Sequence, residues 1–454
     1  MASTTISVNR PSFAAPRDAQ HSAPKVTVQL PGSKSLTVRA IMLAALADGP
    51  SQLIGALRSD DTDAFCNAVQ NLAVDVSIED DSLCIGGGGP GTPLCDVLDL
   101  GLGGAPARFG LALAALADVP VTVDGAPRLR ERPMHDAIAL FTQLGVRIEP
   151  IGDGPGLPLR VEGGAWETHH LTIGATATSQ VVSALLLAAT QAGGLQMEFQ
   201  QSPTSAAYLE LTISELRRWG VHVEVERRHG NLHRITVPSH QPSGGNYAIG
   251  RDASSAVAAA CVCCAVPGAV LALPGATLHD AQPDTRALAL LQLAGADITA
   301  HDEGLHISTS GELSFPAEVD ASCMPDAVPS LAVIAACRGA ATVRFTGLET
   351  LRVKECDRVQ ATADLLHTAG GNVLIEGDDL VVYGGVAPST EAMDASTCDD
   401  HRMAMAAAAL GLWRGCVRID DPGVVTKSWP GFWSDLAGLG GWSAMAAAAV
   451  GAGT

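Results

Sequence analysis

Residues 31–47 read PGSKSLTVRAIMLAALA and join a tight turn to a helix start and an apolar run. The Pro-Gly turn is followed by two serines, Ser33 and Ser35, that are suited to cap a helix. The first turn of a helix presents free N–H groups and the positive end of its dipole, and Lys34 and Arg39 add two cations there. The stretch therefore predicts an anion site, most naturally for phosphate. A capped surface helix with incidental basic residues explains it equally well.

Ala-rich stretches of the same kind recur along the chain, each preceded by capping or glycine residues. We predict buried helices at Ser35–Ala47, Pro106–Ala117, Ser179–Ala189, Ser254–Ala265, Asp326–Ala336 and His401–Leu410. Between them the chain repeats a strand, a polar loop, a second helix with a glycine-type stop, and a two-stranded hairpin. The helix stops are spaced by 72, 75, 75 and 75 residues and fall at Ala73, Gly145, Gly220, Gly295 and Gly370.

This period predicts a two-domain α/β protein with six β-α-β-α-β-β units, three in each domain. Domain I is expected to be discontinuous, with residues 25–32 and 250–437, because the first strand should pair with the C-terminal half. Domain II then comprises residues 33–249. We expect residues 1–24 to be a disordered N-terminal tail and residues 438–454 to be a low-complexity C-terminal tail.

The composition restricts the partners and the compartment. Of the 454 residues, 47% are apolar and 17% are charged, and the net charge of −20 argues against a nucleic-acid or anionic-membrane partner. Eleven cysteines without framework spacing indicate a reducing compartment, so we expect a cytoplasmic protein. No apolar run reaches the length of a membrane helix. Because zinc-binding and serine-hydrolase motifs are absent, we expect no metal and no cofactor.

A small set of basic residues stands at the starts of the Ala-rich helices or in short polar motifs. Eight of the 28 basic residues belong to it, namely Lys34, Arg39, Arg108, Arg132, Lys354, Arg358, Arg402 and Lys427. If two domains faced each other, three helix N-termini from each would direct their dipoles and these cations at one cleft. Such a cleft suits a small substrate that carries several negative charges.

One carboxylate beside these basic residues is a candidate for proton transfer. Glu355 lies in LRVKECDRV, residues 351–359, beside Lys354 and one helical turn before Arg358. The spacing allows a simple i, i+3 ion pair on a helix surface. It equally allows a carboxylate whose proton affinity is set by neighbouring cations for acid–base catalysis.

Nine motifs of this chain together resemble the 5-enolpyruvylshikimate-3-phosphate (EPSP) synthase family over roughly residues 25–437. In order along the chain they are PGSKSLTVRAIMLAAL, GLGGAPARF, RERPM, ATSQVVSALLLAA, DASSA, MPDAVPSLAVIAA, LRVKECDR, DDHRMAM and DPGVVTKSWPGFW. The resemblance implies the two-domain inverted α/β barrel, with three β-α-β-α-β-β units in each domain. It also implies a monomer that acts in the shikimate pathway of aromatic amino-acid biosynthesis and is a target of glyphosate.

The reaction that the resemblance implies is transfer of the enolpyruvyl group of phosphoenolpyruvate to the 5-hydroxyl of shikimate 3-phosphate, with release of phosphate. It proceeds by addition and elimination through a tetrahedral intermediate. The residues implied to bind shikimate 3-phosphate are Lys34, Ser35, Arg39, Thr178, Ser179, Gln180, Ser205, Asp326 and Lys354, with Tyr208 lining that pocket. The residues implied to bind phosphoenolpyruvate are Lys34, Gly104, Arg132, Gln180, Arg358, Arg402 and Lys427, with Arg108 in support.

The resemblance further implies four catalytic residues. Asp326 would be the base at the 5-hydroxyl, and Glu355 would exchange the proton at the methylene carbon. Lys34 and Lys427 complete the set.

Five positions depart from the family pattern. Leu102, Ala105 and Pro106 replace an asparagine, a threonine and an alanine in the donor loop, and they bear on the affinity for the donor and for glyphosate. Thr178 replaces a serine and keeps its hydroxyl. Thr350 stands where many members have an asparagine that binds the substrate ring.

Two other functions remain open from the sequence. One is a non-catalytic paralogue that only binds phosphorylated ligands, and an assay of phosphate release distinguishes it. The other is an enolpyruvyl transferase for a nucleotide sugar, a family that carries a reactive cysteine in the donor loop, where this chain has RLRERP at 128–133.

Overall fold

A computed structural model of the chain describes residues 5–9 and 23–442. The chain divides into two compact units. Unit 1 comprises residues 1–31 and 251–454, and unit 2 comprises residues 32–250. None of the described helices is both long and apolar enough to cross a membrane.

The strands of the described residues are short, with three to seven residues each. In chain order they are β1 Ile6–Val8, β2 Lys25–Thr27, β3 Ser51–Ile54, β4 Val76–Glu79, β5 Ser82–Ile85, β6 Val97–Asp99, β7 Val121–Asp124, β8 Arg147–Pro150, β9 Leu159–Glu162, β10 His170–Ile173, β11 Leu195–Phe199, β12 Glu224–Arg228, β13 Asn231–Val237, β14 Asn246–Ala248, β15 Val270–Pro274, β16 Asp297–His301, β17 Gly304–Ser308, β18 Glu318–Asp320, β19 Val343–Thr346, β20 Val373–Glu376, β21 Asp379–Val382, β22 Met393–Ala395 and β23 Val417–Ile419.

The helices alternate with these strands. They are α1 Lys34–Leu46, α2 Asp60–Asn71, α3 Gly104–Ala114, α4 Pro127–Arg130, α5 His135–Gln143, α6 Gln180–Ala188, α7 Ala206–Arg218, α8 Ala253–Cys264, α9 Thr285–Leu293, α10 Val328–Arg338, α11 Arg358–Thr368, α12 His401–Arg414 and α13 Phe432–Asp435. Short 3-10 helices occupy Pro325–Ala327, Glu349–Val353, Pro422–Lys427 and Ala437–Leu439.

Five four-stranded sheets share one topology. In β6-β7-β9-β8, for example, β6 and β7 are parallel and flank α3, whereas β9 pairs antiparallel with both β7 and β8. In three of the sheets an Ala-rich helix is the crossover between the parallel strands, with α3 between β6 and β7, α6 between β10 and β11, and α10 between β18 and β19. In each of the five sheets a hairpin completes the order. The other sheets of this kind are β10-β11-β13-β12, β14-β3-β5-β4, β16-β17-β15-β2 and β18-β19-β21-β20.

The six predicted Ala-rich helices form, and they make the cores of the units. In unit 2, α1, α3 and α6 contact one another, and in unit 1 the same holds for α8, α10 and α12. These helices are buried on nearly all faces, as expected for helices whose small side chains permit close packing. Their starts are consequently fixed by the core.

Two strands connect the units along the chain. Strand β2 precedes α1 in sequence, but it pairs in parallel with β15 of unit 1. Strand β14 ends unit 2 and pairs in parallel with β3. Strand β2, the first strand that was predicted, thus pairs with the C-terminal half. The expected domain boundaries depended on this pairing.

The N-terminal tail differs from the prediction. Residues 6–8, expected to be disordered, form β1, which pairs antiparallel with β23. Ile6 and Val8 are buried and Ser7 is exposed, so the strand has one apolar face. The glycine at 411 in α12 makes room for it, because a Cβ there would lie 2.7 Å from Val8 Cβ. The sixth repeat unit contains no hairpin of its own, and strand β1 therefore completes its sheet, β1-β23-β22.

The segment predicted as a C-terminal tail, residues 438–454, begins with ordered structure. Residues 437–439 form a 3-10 helix, and the indole of Trp442 is buried edge-on against Trp433 at a ring distance of 5.4 Å. Trp442 Nε1 donates a hydrogen bond to the backbone oxygen of Trp433 at 2.7 Å. Residues 443–454, with 1–4 and 10–22, lie outside the described residues.

The predicted helix stops have the backbone conformation that the period requires. All five have a positive φ, between 62° and 109°, at Ala73, Gly145, Gly220, Gly295 and Gly370. Glycine adopts this left-handed conformation without the steric cost that a Cβ brings, which explains its recurrence.

Candidate functional site

The starts of α1 and α6 in unit 2 are capped by side chains. Ser33 Oγ accepts a hydrogen bond from the backbone N–H of Leu36, and Thr178 Oγ1 accepts one from that of Gln180 at 3.2 Å. Ser179 is buried at the N-cap of α6. These helices therefore begin at defined positions, with the positive ends of their dipoles at the polar residues of the two motifs.

Arg108 joins the start of α3 to the start of α6. Its Nη1 donates to the backbone oxygen of Gly104 at 2.9 Å and to Gln180 Oε1 at 3.2 Å. Its Nη2 donates to the backbone oxygen of Pro133 at 3.0 Å. Burial, with repulsion from Arg132, lowers the pKa of the Arg108 guanidinium to about 9. Arg108 thus positions three predicted ligand-binding segments relative to one another.

Arg39 has a similar role at α1. It donates to Thr212 Oγ1 at 2.9 Å, to the backbone oxygens of Ser35 and Tyr208 at 2.9 and 3.2 Å, and to Ser183 Oγ at 3.4 Å. These bonds use four of the five N–H donors of an arginine. Burial lowers the pKa of Arg39 to about 10. The guanidinium therefore holds α1 against α6 and α7.

Gly104 and Arg132 lie in close contact. A Cβ at position 104 would lie 2.3 Å from Arg132 Nη1, so the glycine permits the guanidinium to reach the first turn of α3. Arg132 is buried, and its Nε has no hydrogen-bond partner among the described residues. A buried donor without a partner is costly, and an anionic ligand would satisfy it.

Pro106 occupies the third position of α3. The helix still begins at Gly104, and the N–H of Ala107 donates to the backbone oxygen of Gly103 at 2.9 Å. Proline is tolerated here because the first N–H groups of a helix have no intrahelical partner. The start of α3 nevertheless offers one N–H fewer to an anion.

Lys34 and Ser205 have individual features. Lys34 Nζ forms an ion pair with Asp61 Oδ2 at 3.0 Å, and the Asp61 side chain is buried. Asp61 was not predicted at this site, because its only signal was its place in an acidic helix start.

Ser205 precedes α7 with φ 50° and ψ 47°, a conformation that is uncommon outside glycine and often occurs at functional sites. Its backbone oxygen accepts from the N–H of Tyr208 at 2.9 Å.

In unit 1, Arg358 is the centre of an ionic network and is only 1% exposed. Its Nε and Nη2 donate to the two carboxylate oxygens of Asp400 at 2.7 and 3.1 Å. Its Nη1 donates to Asp326 Oδ1 at 2.8 Å, and Nη2 also donates to Glu355 Oε2 at 3.0 Å. Burial alone would lower the pKa of Arg358, but the three carboxylates raise it well above its ordinary value.

Three more cations surround two of these carboxylates. Lys354 Nζ lies 3.3 Å from Asp326 Oδ1, and Arg402 Nη2 lies 3.9 Å from Asp326 Oδ2. Lys427 Nζ lies 3.2 Å from Glu355 Oε1. All six predicted site residues of unit 1 therefore belong to one cluster. Arg402 Nε has no hydrogen-bond partner within the described part of the chain.

The cations determine the protonation of Asp326. Burial would raise the pKa of this carboxyl, but Lys354, Arg358 and Arg402 hold it well below its ordinary value. Asp326 is therefore ionised at neutral pH in the absence of ligand. The carboxylate becomes a stronger base only when these cations are compensated by other negative charges.

Two acids of this cluster, Asp400 and Asp284, were not among the predicted site residues. Asp400 immediately precedes the helix predicted at His401–Leu410, and it is fully buried, caps α12 by accepting from the N–H of Arg402 at 2.8 Å, and binds Arg358. Asp284, at the start of α9, accepts a hydrogen bond from Ser254 Oγ, and its Oδ1 has no partner in the described structure. Burial and repulsion from Asp326 raise the pKa of Asp284 to about 7.

Two further observations concern ligands. Thr350 Oγ1, at one of the five positions that depart from the expected pattern, is buried without a hydrogen-bond partner among residues 5–9 and 23–442. Across the same residues, no group of three or more His, Cys, Asp or Glu side chains is arranged to hold a metal ion.

Comparison with solved structures defines the class of fold. An EPSP synthase from Acinetobacter baumannii superposes with a TM-score of 0.77 and 24% sequence identity, over 96% of this chain and 98% of that one. The predicted two-domain inverted α/β barrel is thereby confirmed.

The sequence comparisons identify the family. The model of the family described as EPSP synthase (3-phosphoshikimate 1-carboxyvinyltransferase) matches residues 20–436. The 3-phosphoshikimate 1-carboxyvinyltransferase of Syntrophobacter fumaroxidans is 35% identical over 416 residues, which cover 90% of this chain and 96% of that protein. The enzyme of the same name from Rhizobium etli is 35% identical over 419 residues, or 90% and 93% of the two chains. The chain belongs to the EPSP synthase family.

We expect the substitution Asp284→Asn to change how stability depends on pH. An aspartate whose pKa is raised to about 7 binds its proton more tightly in the folded state than in the unfolded state. The wild-type protein therefore loses stability as pH rises from the ordinary aspartate pKa of about 4 to about 7, whereas an asparagine has no proton to lose. Thermal midpoints of both proteins at pH 5 and pH 8 measure the effect.

The control for this experiment is Asp302→Asn, which alters an exposed aspartate of the same unit. The difference in midpoint between the Asp284→Asn variant and wild type should shift in favour of the variant at the higher pH. A difference that is equal at both pH values, as in the control, would contradict the assignment.

Proposed function

We propose that this chain transfers the enolpyruvyl group of phosphoenolpyruvate to the 5-hydroxyl of shikimate 3-phosphate and releases phosphate, the reaction of its family. The observation that carries the proposal is the pair of carboxylates, Asp326 and Glu355, held among Arg358, Lys354 and Lys427. Both substrates are small and carry phosphate or carboxylate groups. Acid–base groups surrounded by fixed cations suit this chemistry.

Unit 2 supplies most of the groups that we propose for shikimate 3-phosphate. Lys34 and Ser35 stand at the start of α1 and Gln180 at the start of α6, where dipoles and free N–H groups favour a phosphate. The further residues assigned to shikimate 3-phosphate are Arg39, Thr178, Ser179, Ser205, Asp326 and Lys354. The bonds of Arg39 to neutral groups suggest that it acts mainly by positioning Ser35.

The groups proposed for phosphoenolpyruvate are mostly guanidinium and ammonium groups. Arg132 and Arg402 are buried and each retains an Nε without a partner among the described residues, so each has bonding capacity for a planar carboxylate or a phosphate. Gly104 admits Arg132, and Lys34, Gln180, Arg358 and Lys427 complete the set. Arg358 acts chiefly through the carboxylates that it orients.

The proposed chemistry divides proton transfer between the two carboxylates. Asp326 accepts the proton of the 5-hydroxyl while the oxygen of that hydroxyl attacks C2 of phosphoenolpyruvate. Glu355 donates a proton to C3 when the methyl group forms. It then removes a proton from that methyl group as phosphate leaves. The anionic substrates compensate the cations that keep the pKa of Asp326 low, so substrate binding strengthens this base. Lys34 and Lys427 stabilise the negative charge that develops on the leaving phosphate.

We also propose a cytoplasmic location, since all eleven cysteines are free thiols and Cys66, Cys261, Cys263, Cys264 and Cys337 are buried. The monomeric state and sensitivity to glyphosate stay predictions.

An assay of phosphate release with both substrates tests the proposed reaction. We expect Glu355→Gln and Asp326→Asn each to lower kcat by ~10²-fold or more, because an amide cannot take up the proton. Glu349→Gln, at an exposed position six residues from Glu355, is the matched control and should leave kcat unchanged. Thermal melts with shikimate 3-phosphate check that both site variants still bind.

Three outcomes would argue against these assignments. Near-wild-type kcat in either site variant would contradict the role given to that residue. Absence of phosphate release by the wild-type protein, with ligand still raising its thermal midpoint, would favour a non-catalytic binder. Release with a nucleotide sugar alone would favour another enolpyruvyl transferase.

We expect Gly104→Ala to weaken the binding of phosphoenolpyruvate more than that of shikimate 3-phosphate. The new Cβ would lie 2.3 Å from Arg132 Nη1, so the guanidinium must move. The KM for phosphoenolpyruvate should rise roughly tenfold or more, in line with the loss of a hydrogen bond to a charged group. Gly110→Ala, in the same helix, is the control, because its Cβ would make only ordinary contacts at 3.6 Å with Leu100. Equal KM values in the two variants would contradict this role of Gly104.

A further inference from the structure

Two cysteines adjoin the ionic network of unit 1, and neither has a role in the proposed reaction. Cys356 lies between Glu355 and the N-cap residue of α11, and Cys398 lies two residues before Asp400. Their side chains lie close enough for each to be the largest influence on the pKa of the other. Cys356 Sγ also donates to Asp400 Oδ2 at 3.7 Å, which independently brings the two loops together.

The environment of Cys398 differs from that of the other thiols. It is exposed, and it stands in a turn in which both Cys398 and Asp399 have positive φ values, 50° and 55°. The neighbouring Cys356 side chain lowers the pKa of the Cys398 thiol to about 7, with a further contribution from Ser396, against the opposing effects of burial, Asp420 and Asp400. The same pairing raises the pKa of Cys356. Cys398 is thus an accessible thiol that is partly ionised at neutral pH, which is the reactive form of a cysteine.

The buried cysteines have the opposite character. Burial raises the pKa of Cys66 and of Cys264 to about 12 and that of Cys261, Cys263 and Cys337 as well. Thiols of this kind are inert towards oxidants at neutral pH. Cys398 is the exposed cysteine among the described residues, and we expect oxidation to begin there rather than at the buried thiols.

We propose that Cys356 and Cys398 form a reversible disulfide on exposure to hydrogen peroxide, and that this bond lowers the activity of the site beside it. The first half of the proposal concerns the thiols alone. The second half rests on the proposed function, because it requires the Arg358 network to support catalysis.

The chemistry balances with peroxide as the oxidant. The Cys398 thiolate attacks one peroxide oxygen, which gives a sulfenic acid and, after protonation of the leaving hydroxide, one water molecule. The Cys356 sulfur then attacks the sulfenic sulfur, forms the S–S bond, loses its proton and releases a second water molecule. Two thiols and one peroxide thus give one disulfide and two waters. A dithiol reductant reverses the reaction by thiol–disulfide exchange.

The effect on the site follows from the contact with Asp400. The disulfide removes the thiol proton that Cys356 donates to Asp400 Oδ2 and ties the loop before α11 covalently to the loop before α12. Asp400 holds Arg358 through two hydrogen bonds, and Arg358 in turn orients Asp326 and Glu355. A small displacement of Asp400 is thereby passed to both proposed acid–base groups, for which positional errors near 1 Å are costly.

Peptide mapping of the full chain tests the first half. The reduced protein is treated with hydrogen peroxide, alkylated and digested with trypsin without reduction. We expect a linked pair of peptides, residues 355–358 and 359–402, which contain Cys356 and Cys398 as their only cysteines. The link should disappear after dithiothreitol and should be absent from Cys398→Ser. Unlinked peptides with Cys398 oxidised to sulfinic acid would overturn the proposal.

The second half is tested by phosphate release from the same samples. Peroxide should lower the kcat of the wild-type protein roughly tenfold or more, dithiothreitol should restore it, and Cys398→Ser should keep its activity throughout. Cys416→Ser, at a partly buried cysteine outside the pair, should respond like wild type. Full activity of the disulfide-linked protein would refute the effect on the site. Failure of the proposed reaction would instead abolish phosphate release before any peroxide is added, with the peptide link unaffected.

Discussion

A guanidinium buried among three carboxylates is the constraint on which unit 1 depends. Removal of an arginine from water is expensive, and anions that satisfy its donors with good geometry offset the cost. Arg358 meets this condition by binding Asp400 through two oxygens and Asp326 and Glu355 through one each. Because these acids come from separate segments, the requirements of one buried charge fix the loops before α10, α11 and α12. The proposed acid–base groups are thus held in place by the same interaction that stabilises the unit.

The buried arginines Arg39 and Arg108 of unit 2 bond neutral groups instead of carboxylates. The hydrogen bonds of Arg39 and Arg108 go to hydroxyl, amide and backbone carbonyl oxygens, so burial lowers the pKa of both. In unit 1 the carboxylates raise the pKa of Arg358 instead. In unit 2, neutral groups bond the guanidinium groups but leave their positive charge uncompensated, and this charge attracts an anion. In unit 1, carboxylates compensate the charge of Arg358, and the arginine in turn orients the carboxylates that we propose for proton transfer. The two units are therefore suited to two proposed tasks: unit 2 to bind anions, and unit 1 also to carry the proposed acid–base groups.

The sequence predicted those features that a period or a motif encodes. The six Ala-rich helices and the five helix stops followed from composition and spacing, since close packing and positive φ each favour particular residues. Strand β1 was missed because three residues carry too little alternation to be distinguished from a tail. Asp61, Asp284 and Asp400 were missed as network members for another reason: their partners come from distant segments, and nothing in the local pattern indicates the pairing. The same holds for Arg39 and Arg358, whose residue type predicted ligand binding but whose donors are largely used within the protein.

The most direct test of the central role of Arg358 compares Arg358→Lys with Arg352→Lys. Lysine keeps the charge but cannot reproduce the bonds from three nitrogens, so the account predicts that Arg358→Lys loses roughly 2 kcal/mol or more of unfolding free energy. It also predicts a fall in kcat of roughly tenfold or more at saturating substrates. Arg352 forms more exposed ion pairs with Asp357 and Asp378, and its replacement by lysine should cost less than about 1 kcal/mol and leave kcat unchanged. An Arg358→Lys protein with wild-type stability and wild-type kcat would contradict the account.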